Sequence, residues 1–132
     1  FMAGSNAGQS FNTYPFMNGK LFPDDYFLGN NIFSKFFENI VAINFNHRWI
    51  ATTCFIYIIL LTAYLKFIKK IQNKNFEILL VIFFVSVQFI LGILTLLSNV
   101  KIYFASMHQI NSMLLLGSLI YIYYLIKKER EI

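Results

Sequence analysis

Charge is scarce in this sequence. Asp, Glu, Lys and Arg make up 13% of its 132 residues while hydrophobic residues make up 58%; a water-soluble domain carries about 25% charged residues. That balance excludes an ordinary globular domain, and the dominance of Phe, Ile, Leu and Tyr excludes a disordered chain. Cysteine occurs once, at Cys54, which rules out an internal disulfide and a paired-cysteine metal site. The two prolines, Pro15 and Pro23, both fall in the first 46 residues. Six acidic residues stand against eleven basic ones, yet no nucleic-acid partner is expected. The basic residues flank apolar runs, where membrane proteins keep them. A nucleotide-binding glycine loop, an HExxH motif and a Ser-His-Asp set are all missing. No carboxylate lies inside an apolar run, which leaves ion transport and proton relay with little support.

What is present is three long apolar runs. Residues 49–65 carry no formal charge over 17 positions, residues 78–97 none over 20, and residues 102–126 none over 25 apart from the titratable His108. A helix rises about 1.5 Å per residue and the hydrocarbon core is about 30 Å thick, so each run is long enough to cross. The expected fold class is an all-α integral membrane protein with three complete transmembrane helices. Lysines at 66, 69, 70 and 74, and then Lys127, Lys128 and Arg130, mark residues 67–77 and the tail as the cytoplasmic (or matrix) side. Residues 1–46 and 98–107 are then outside.

Residues 1–48 read as an outer-side region and residues 49–132 as the transmembrane part. Within the first, Phe33, Phe36, Phe37, Ile40 and Val41 recur at helical spacing opposite Asn31, Ser34, Lys35, Glu38 and Asn39, as in a short amphipathic helix lying in the membrane interface. A helix packed on neighbouring protein would show the same beat. Residues 1–8 read as the outer end of a helix whose body is missing, so that the three spans would belong to a four-helix bundle.

Both histidines, His47 and His108, stand near the outer end of a predicted span. Two crossings separate them, which returns the chain to the same face and places both imidazoles at similar depth. Ionisable groups in membrane helices are costly and point to function, and imidazole ligates haem iron and other transition metals. Two opposed histidines can therefore grip one haem iron; the alternative is that each only makes interfacial hydrogen bonds. Small residues lie one turn inward, Ala51 and Ser112, leaving room for a flat macrocycle. Arg48 is a candidate partner for a porphyrin propionate, because its fork matches carboxylate geometry; by itself it also reads as an interfacial anchor. Gln88, Gly92 and Thr95 form a small and polar stripe expected to face the bundle and serve close packing. Cys54 reads as a packing residue.

Four ordered blocks carry a family resemblance: Ala3-Gly4-Ser5-Asn6-Ala7-Gly8 continuing to Phe11-Asn12-Thr13-Tyr14-Pro15; Phe37-Glu38-Asn39 leading to Asn44-Phe45-Asn46-His47-Arg48; Gln88 with Leu91-Gly92-Ile93-Leu94-Thr95; and His108-Gln109. On these the sequence resembles the carboxy-terminal half of the haem A synthases, membrane enzymes of cytochrome oxidase assembly. The resemblance implies half of an eight-helix protein built from two similar bundles, with the amino-terminal half missing. It implies oxidation of a ring methyl of haem O to the formyl group of haem A, with haem O made by a separate farnesylating synthase. It assigns His47 and His108 as axial ligands of a haem b that passes electrons. In the other half a glutamate three residues before the histidine is implicated in catalysis; here that offset holds Asn44, which assigns this chain to the cofactor half and leaves its catalytic residues unknown. Ser5-Asn6 departs from the usual residues between the two small motifs. The expected location is the bacterial plasma membrane or the mitochondrial inner membrane. A fragment inactive by itself is the expectation; a non-catalytic membrane b-type cytochrome and an assembly subunit without haem are the alternatives.

Overall fold

The computed structural model describes residues 5–68 and 74–130. Three helices dominate it: α1 (Ile40–Ala63), α2 (Asn75–Leu97) and α3 (Ile102–Arg130). A widened turn, Tyr64–Ile68, extends α1, and with that extension all three are long and apolar enough to cross a membrane. No strand occurs among the described residues. The helices bury little of their apolar surface against one another. Ile50, Ile56, Tyr57 and Leu60 of α1, Leu79, Phe83 and Ile90 of α2, and Met113, Leu116, Ile120 and Tyr123 of α3 all face outward. Such an exterior is unfavourable in water and suits acyl chains, so the chain is a membrane protein. The lysines at 69 and 70, used above for orientation, lie outside the described residues.

The helices meet over a compact seam. Ile78 and Val81 of α2 and Ile122 of α3 are buried, with Ile58, Ile82, Leu115, Leu119 and Ile126 packed around them. This cluster fixes the inner half of the bundle. At the outer end α2 and α3 are joined by a tight turn. Asn99 (φ 55°) and Val100 (φ 58°) are left-handed there. The amide of Val100 donates to Thr95 O at 2.8 Å and that of Asn99 to Leu96 O at 3.1 Å, closing the end of α2. A β-branched residue at positive φ is costly, and the short connection it permits sets the first turns of α3 directly beside the last turns of α2.

The start of α1 differs from the sequence expectation in two respects. The helix begins at Ile40, ahead of the uncharged run at 49–65, so the polar block Asn44 to Arg48 is helical rather than loop. The helical beat from Phe33 to Val41 is also divided. Ser34–Glu38 forms one wide turn, and Asn39 (φ −71°, ψ 110°) breaks the helix before α1 begins. The reason is the Asn39 side chain. Its Oδ1 accepts from the amides of Val41 (2.9 Å) and Ala42 (3.4 Å), capping α1. Its Nδ2 donates to the carbonyls of Asp25 (2.7 Å), Tyr26 (3.0 Å) and Leu28 (3.1 Å). Asn39 thus ties the outer loop to the first turn of α1. Asn39→Ala is expected to lower stability by about 2 kcal/mol, the upper end of a lost helix cap, with Asn39→Asp intermediate because it keeps only the accepting oxygen. Limited proteolysis between residues 20 and 38 reads the loosening directly.

The outer loop lies over α1. Phe22 and Tyr26 set their rings on Phe45 at 5.1 and 5.2 Å, and Tyr26 donates its hydroxyl to Asn46 Oδ1 at 2.8 Å. The expected helix end at residues 1–8 falls partly outside the described residues; what is described there is a single 3-10 turn, Ala7–Gln9.

Candidate haem-binding cavity

Between α1 and the α2–α3 pair, at the outer end, lies a cavity of about 550 Å³, within the range of small-molecule sites. His47 and His108 both line it. His47 stands seven residues into α1 and His108 six into α3, about 10 Å below each helix start at 1.5 Å per residue. The two imidazoles therefore lie near one end of the bundle and line one cavity. Ala51 lines the cavity one turn inward of His47; Ser112 does not. It is exposed instead, its hydroxyl donating to Gln109 O at 2.6 Å. The space beneath His108 comes from α2 instead, at Gly92.

Gly92 is the closest approach to a histidine. A Cβ built there would lie 3.1 Å from His108 Cε1 and 3.6 Å from Nδ1. Only a residue without a side chain lets the Cε1 edge of the ring come this close to α2. Gly92→Ala should raise the intrinsic helix preference of α2 by roughly 1 kcal/mol while displacing the His108 ring by a few tenths of an ångström. The expected outcome is an unchanged or higher melting temperature with weaker haem retention, read by thermal unfolding and by the haem-to-protein absorbance ratio.

The stripe of Gln88, Gly92 and Thr95 lines the cavity throughout. Thr95 satisfies its hydroxyl within its own helix, on Leu91 O at 2.7 Å. Gln88 does not: its amide nitrogen lies 3.2 Å from His108 Nε2. Asn111 donates from Nδ2 to Gln88 Oε1 at 2.8 Å and to Phe84 O at 3.0 Å. Asn111 had no signal in the sequence beyond being a polar residue in an apolar run. Cys54 also lines the cavity rather than filling a packed core. The cavity walls are otherwise apolar and aromatic: Phe55 stacks on Phe89 at 4.6 Å, and Tyr14 meets Phe89 edge-on at 6.3 Å.

Arg48 lines the cavity too, but most of its fork is engaged elsewhere. It is buried, at 8% exposure. Nε donates to Asn44 Oδ1 at 2.6 Å, Nη1 to Thr13 O at 2.6 Å and Nη2 to Phe11 O at 2.9 Å. Asn44, fully buried, donates in turn to Ala7 O at 2.6 Å. The block Asn44 to Arg48 thus binds residues 7–13 over the outer mouth of the cavity. Two of the five guanidinium N–H groups remain for another acceptor.

The donor set is compatible with a haem. No cluster of three or more metal-ligating side chains occurs among the described residues, which sets aside a metal site built from protein ligands alone. Two imidazoles lining one largely apolar cavity are side chains of a type that could ligate a haem iron. The Nδ1 atom of His108 is buried without a partner, which is unusual in a purely structural histidine.

Comparison with known proteins gives a consistent picture. A family model described as "Cytochrome oxidase assembly protein" matches residues 1–120. Among similar proteins are three named "Heme A synthase". That of Wolbachia pipientis wMel is 35% identical over 98% of this chain and 35% of its own length. That of Wolbachia pipientis subsp. Culex pipiens (strain wPip) is 40% identical over 92% of this chain and 34% of its own. That of Pelagibacter ubique (strain HTCC1062) is 38% identical over 94% of this chain and 36% of its own. The chain therefore spans about a third of the length of the relatives it matches. No solved structure matches it significantly.

Proposed function

The chain belongs to the cytochrome oxidase assembly protein family, and from that premise we propose that it is the haem-b-binding half of a haem A synthase, acting in the oxidation of haem O to haem A. The observation that carries the reading is the placement of His47 and His108 on one cavity at the outer end of the bundle. When bound, a b-type haem supplies one-electron chemistry at its iron. The chain's residues do the rest. His47 on α1 and His108 on α3 would hold the haem iron in the cavity that both line. Phe55, Phe89 and Tyr14 keep the cavity apolar and exclude water, and that burial tunes the potential. Arg48 and Asn44 hold residues 7–13 across the mouth, and the free guanidinium N–H groups are available to a propionate.

No Asp or Glu lines this cavity among the described residues. Asn44 stands where the catalytic glutamate of the other half is expected, and it is spent on Ala7 O and Arg48. Both facts favour an electron-passing role here, with the methyl oxidation at a separate haem O site in the full-length protein. The seat is a bacterial plasma membrane or, in a eukaryote, the mitochondrial inner membrane, with residues 5–46 and 98–107 on the outer side; the exposed, stacked Phe33 and Phe37 meet the lipid headgroups of the outer interface. A farnesylating synthase supplies haem O.

The test uses full-length protein purified from haem-replete cells. Expected are the bands of a six-coordinate, low-spin b-type haem, and formation of haem A when haem O, a reductant and oxygen are supplied. Haem content unchanged after replacing both His47 and His108 overturns the ligand assignment; a haem-loaded protein that never forms haem A overturns the enzymatic one.

A further inference from the structure

We propose that Gln88 and Asn111 are positioning residues that fix the tautomer of His108, through a directed chain of hydrogen bonds beginning at Phe84 O. This inference rests on the reading of His108 as a haem ligand and adds what prepares it for that role.

The direction of the chain follows from its fixed end. A backbone carbonyl can only accept, so the Asn111 atom 3.0 Å from Phe84 O is its amide nitrogen. That same nitrogen lies 2.8 Å from Gln88, so the Gln88 atom facing it must be the oxygen. The other end of the Gln88 amide is then the NH2 group, and it lies 3.2 Å from His108 Nε2. An NH2 group donates, so Nε2 accepts and carries no hydrogen. In a neutral imidazole the hydrogen is then on Nδ1, the atom left buried without a partner against Gly92.

The consequence bears on metal binding. A neutral imidazole ligates through its unprotonated nitrogen, and the hydrogen bonds around the ring decide which one that is. The chain from Phe84 keeps Nε2 as the lone-pair nitrogen before any metal arrives, with Gln88 holding its place. Asn111 is buried and both donors of its amide are used, so the direction cannot reverse without breaking a bond to the backbone. His47 forms no hydrogen bond with any described residue, so among the described residues only His108 is set by a side-chain partner.

Histidine ¹⁵N NMR of the haem-free, full-length protein in lipid nanodiscs tests this directly, with the His108 signal assigned by its loss in His108→Ala. Nδ1 protonated and Nε2 bare in the wild type is the expected result. An Nε2–H tautomer overturns the proposal. Asn111→Leu frees the Gln88 amide and should produce a mixture of the two tautomers; an unchanged spectrum overturns it as well. Haem uptake provides the second measurement. Gln88→Glu has nearly the same shape but presents only an acceptor to Nε2, so it favours the Nε2–H tautomer and should lower haem occupancy several-fold, because the ring must change tautomer before Nε2 meets iron. Gln88→Met, which imposes neither tautomer, should lower it less. A packing role gives the reverse order and overturns the proposal. A wild-type protein that takes up no haem overturns the ligand reading and this inference together, whereas normal uptake with the reverse order overturns only the inference.

Discussion

His108→Ala should abolish haem retention, while His47→Ala should leave a five-coordinate, high-spin haem that washes out more slowly. The asymmetry follows from how each imidazole is held. His108 lies against Gly92 with its Nε2 accepting from Gln88, so its ring is oriented before iron binds, the Gln88 bond then being exchanged for iron, and little conformational freedom is lost on binding. His47 is exposed to the cavity and has no described hydrogen-bond partner, so some of its binding energy is spent on ordering. Loss of an outer partner of a metal ligand costs about 10–100-fold in affinity. Loss of the better-placed ligand itself should exceed that range, and loss of the less constrained one should fall near its lower end. The measurement is the pyridine haemochrome content of each purified full-length variant, with the Soret position and electron paramagnetic resonance giving the spin state. Equal loss in the two variants would remove the argument that α2 prepares one side of the site. Added imidazole should restore the low-spin spectrum to His47→Ala more readily, because its open side faces the less constrained position.

The three spans, the shared depth of the histidines and the family were legible in the sequence because each rests on a long-range regularity. Uncharged runs of 17 to 25 residues fix the crossings, and two crossings bring position 47 to the level of position 108 whatever the side chains between them do. The start of α1 was less legible. Asn44, Asn46, His47 and Arg48 look like loop because polar residues in series rarely extend a membrane helix. They are helical here because Asn39 caps the turn before them and residues 7–13 accept their hydrogen bonds. The amphipathic beat at 33–41 is interrupted for the same reason: residues 32–38 are helical, but the spacing ignores the Asn39 side chain, which caps α1 and binds the carbonyls of Asp25, Tyr26 and Leu28.

Within the site, sequence periodicity put Gln88, Gly92 and Thr95 on one face but could not rank them. Rank depends on partners. Thr95 is satisfied by its own helix, Gly92 sets how near His108 can come, and Gln88 is bound at both ends of its amide. Those differences come from the tight turn at Asn99 and Val100, whose left-handed conformations set the register of α3 against α2. Nothing in the residue types at 99 and 100 announces that register, since valine is a poor choice for positive φ. Asn111 was overlooked because one polar residue in a long apolar run gives no periodicity of its own; its meaning appears only when α2 supplies Phe84 O and Gln88 opposite it.

Arg48→Met should release the outer loop, at a cost of roughly 3 kcal/mol or more. The substitution leaves Asn44 Oδ1, Thr13 O and Phe11 O without their donor, and a buried acceptor left unpaired costs about 1–3 kcal/mol. Thr13 and Phe11 can recover part of that from water once the loop lifts, which is why loosening rather than global unfolding is expected. Arg48→Lys should fall between the two, because one ammonium cannot reach three acceptors that the planar fork meets simultaneously. All three acceptors are neutral, so the guanidinium charge is held by dipoles alone, and a buried cation held in that way is costly unless an anion lies near. A propionate at the mouth of the cavity would meet that need and would couple haem binding to loop closure. Limited proteolysis of the full-length protein with and without haem checks both points: residues 7–13 should become cleavable in Arg48→Met, and haem should protect them in the wild type but not in the variant. A double-mutant cycle with Asn44→Leu should show strong coupling, since both variants break the same chain from Ala7 to Thr13. Additive losses would mean that Arg48 and Asn44 hold the loop independently.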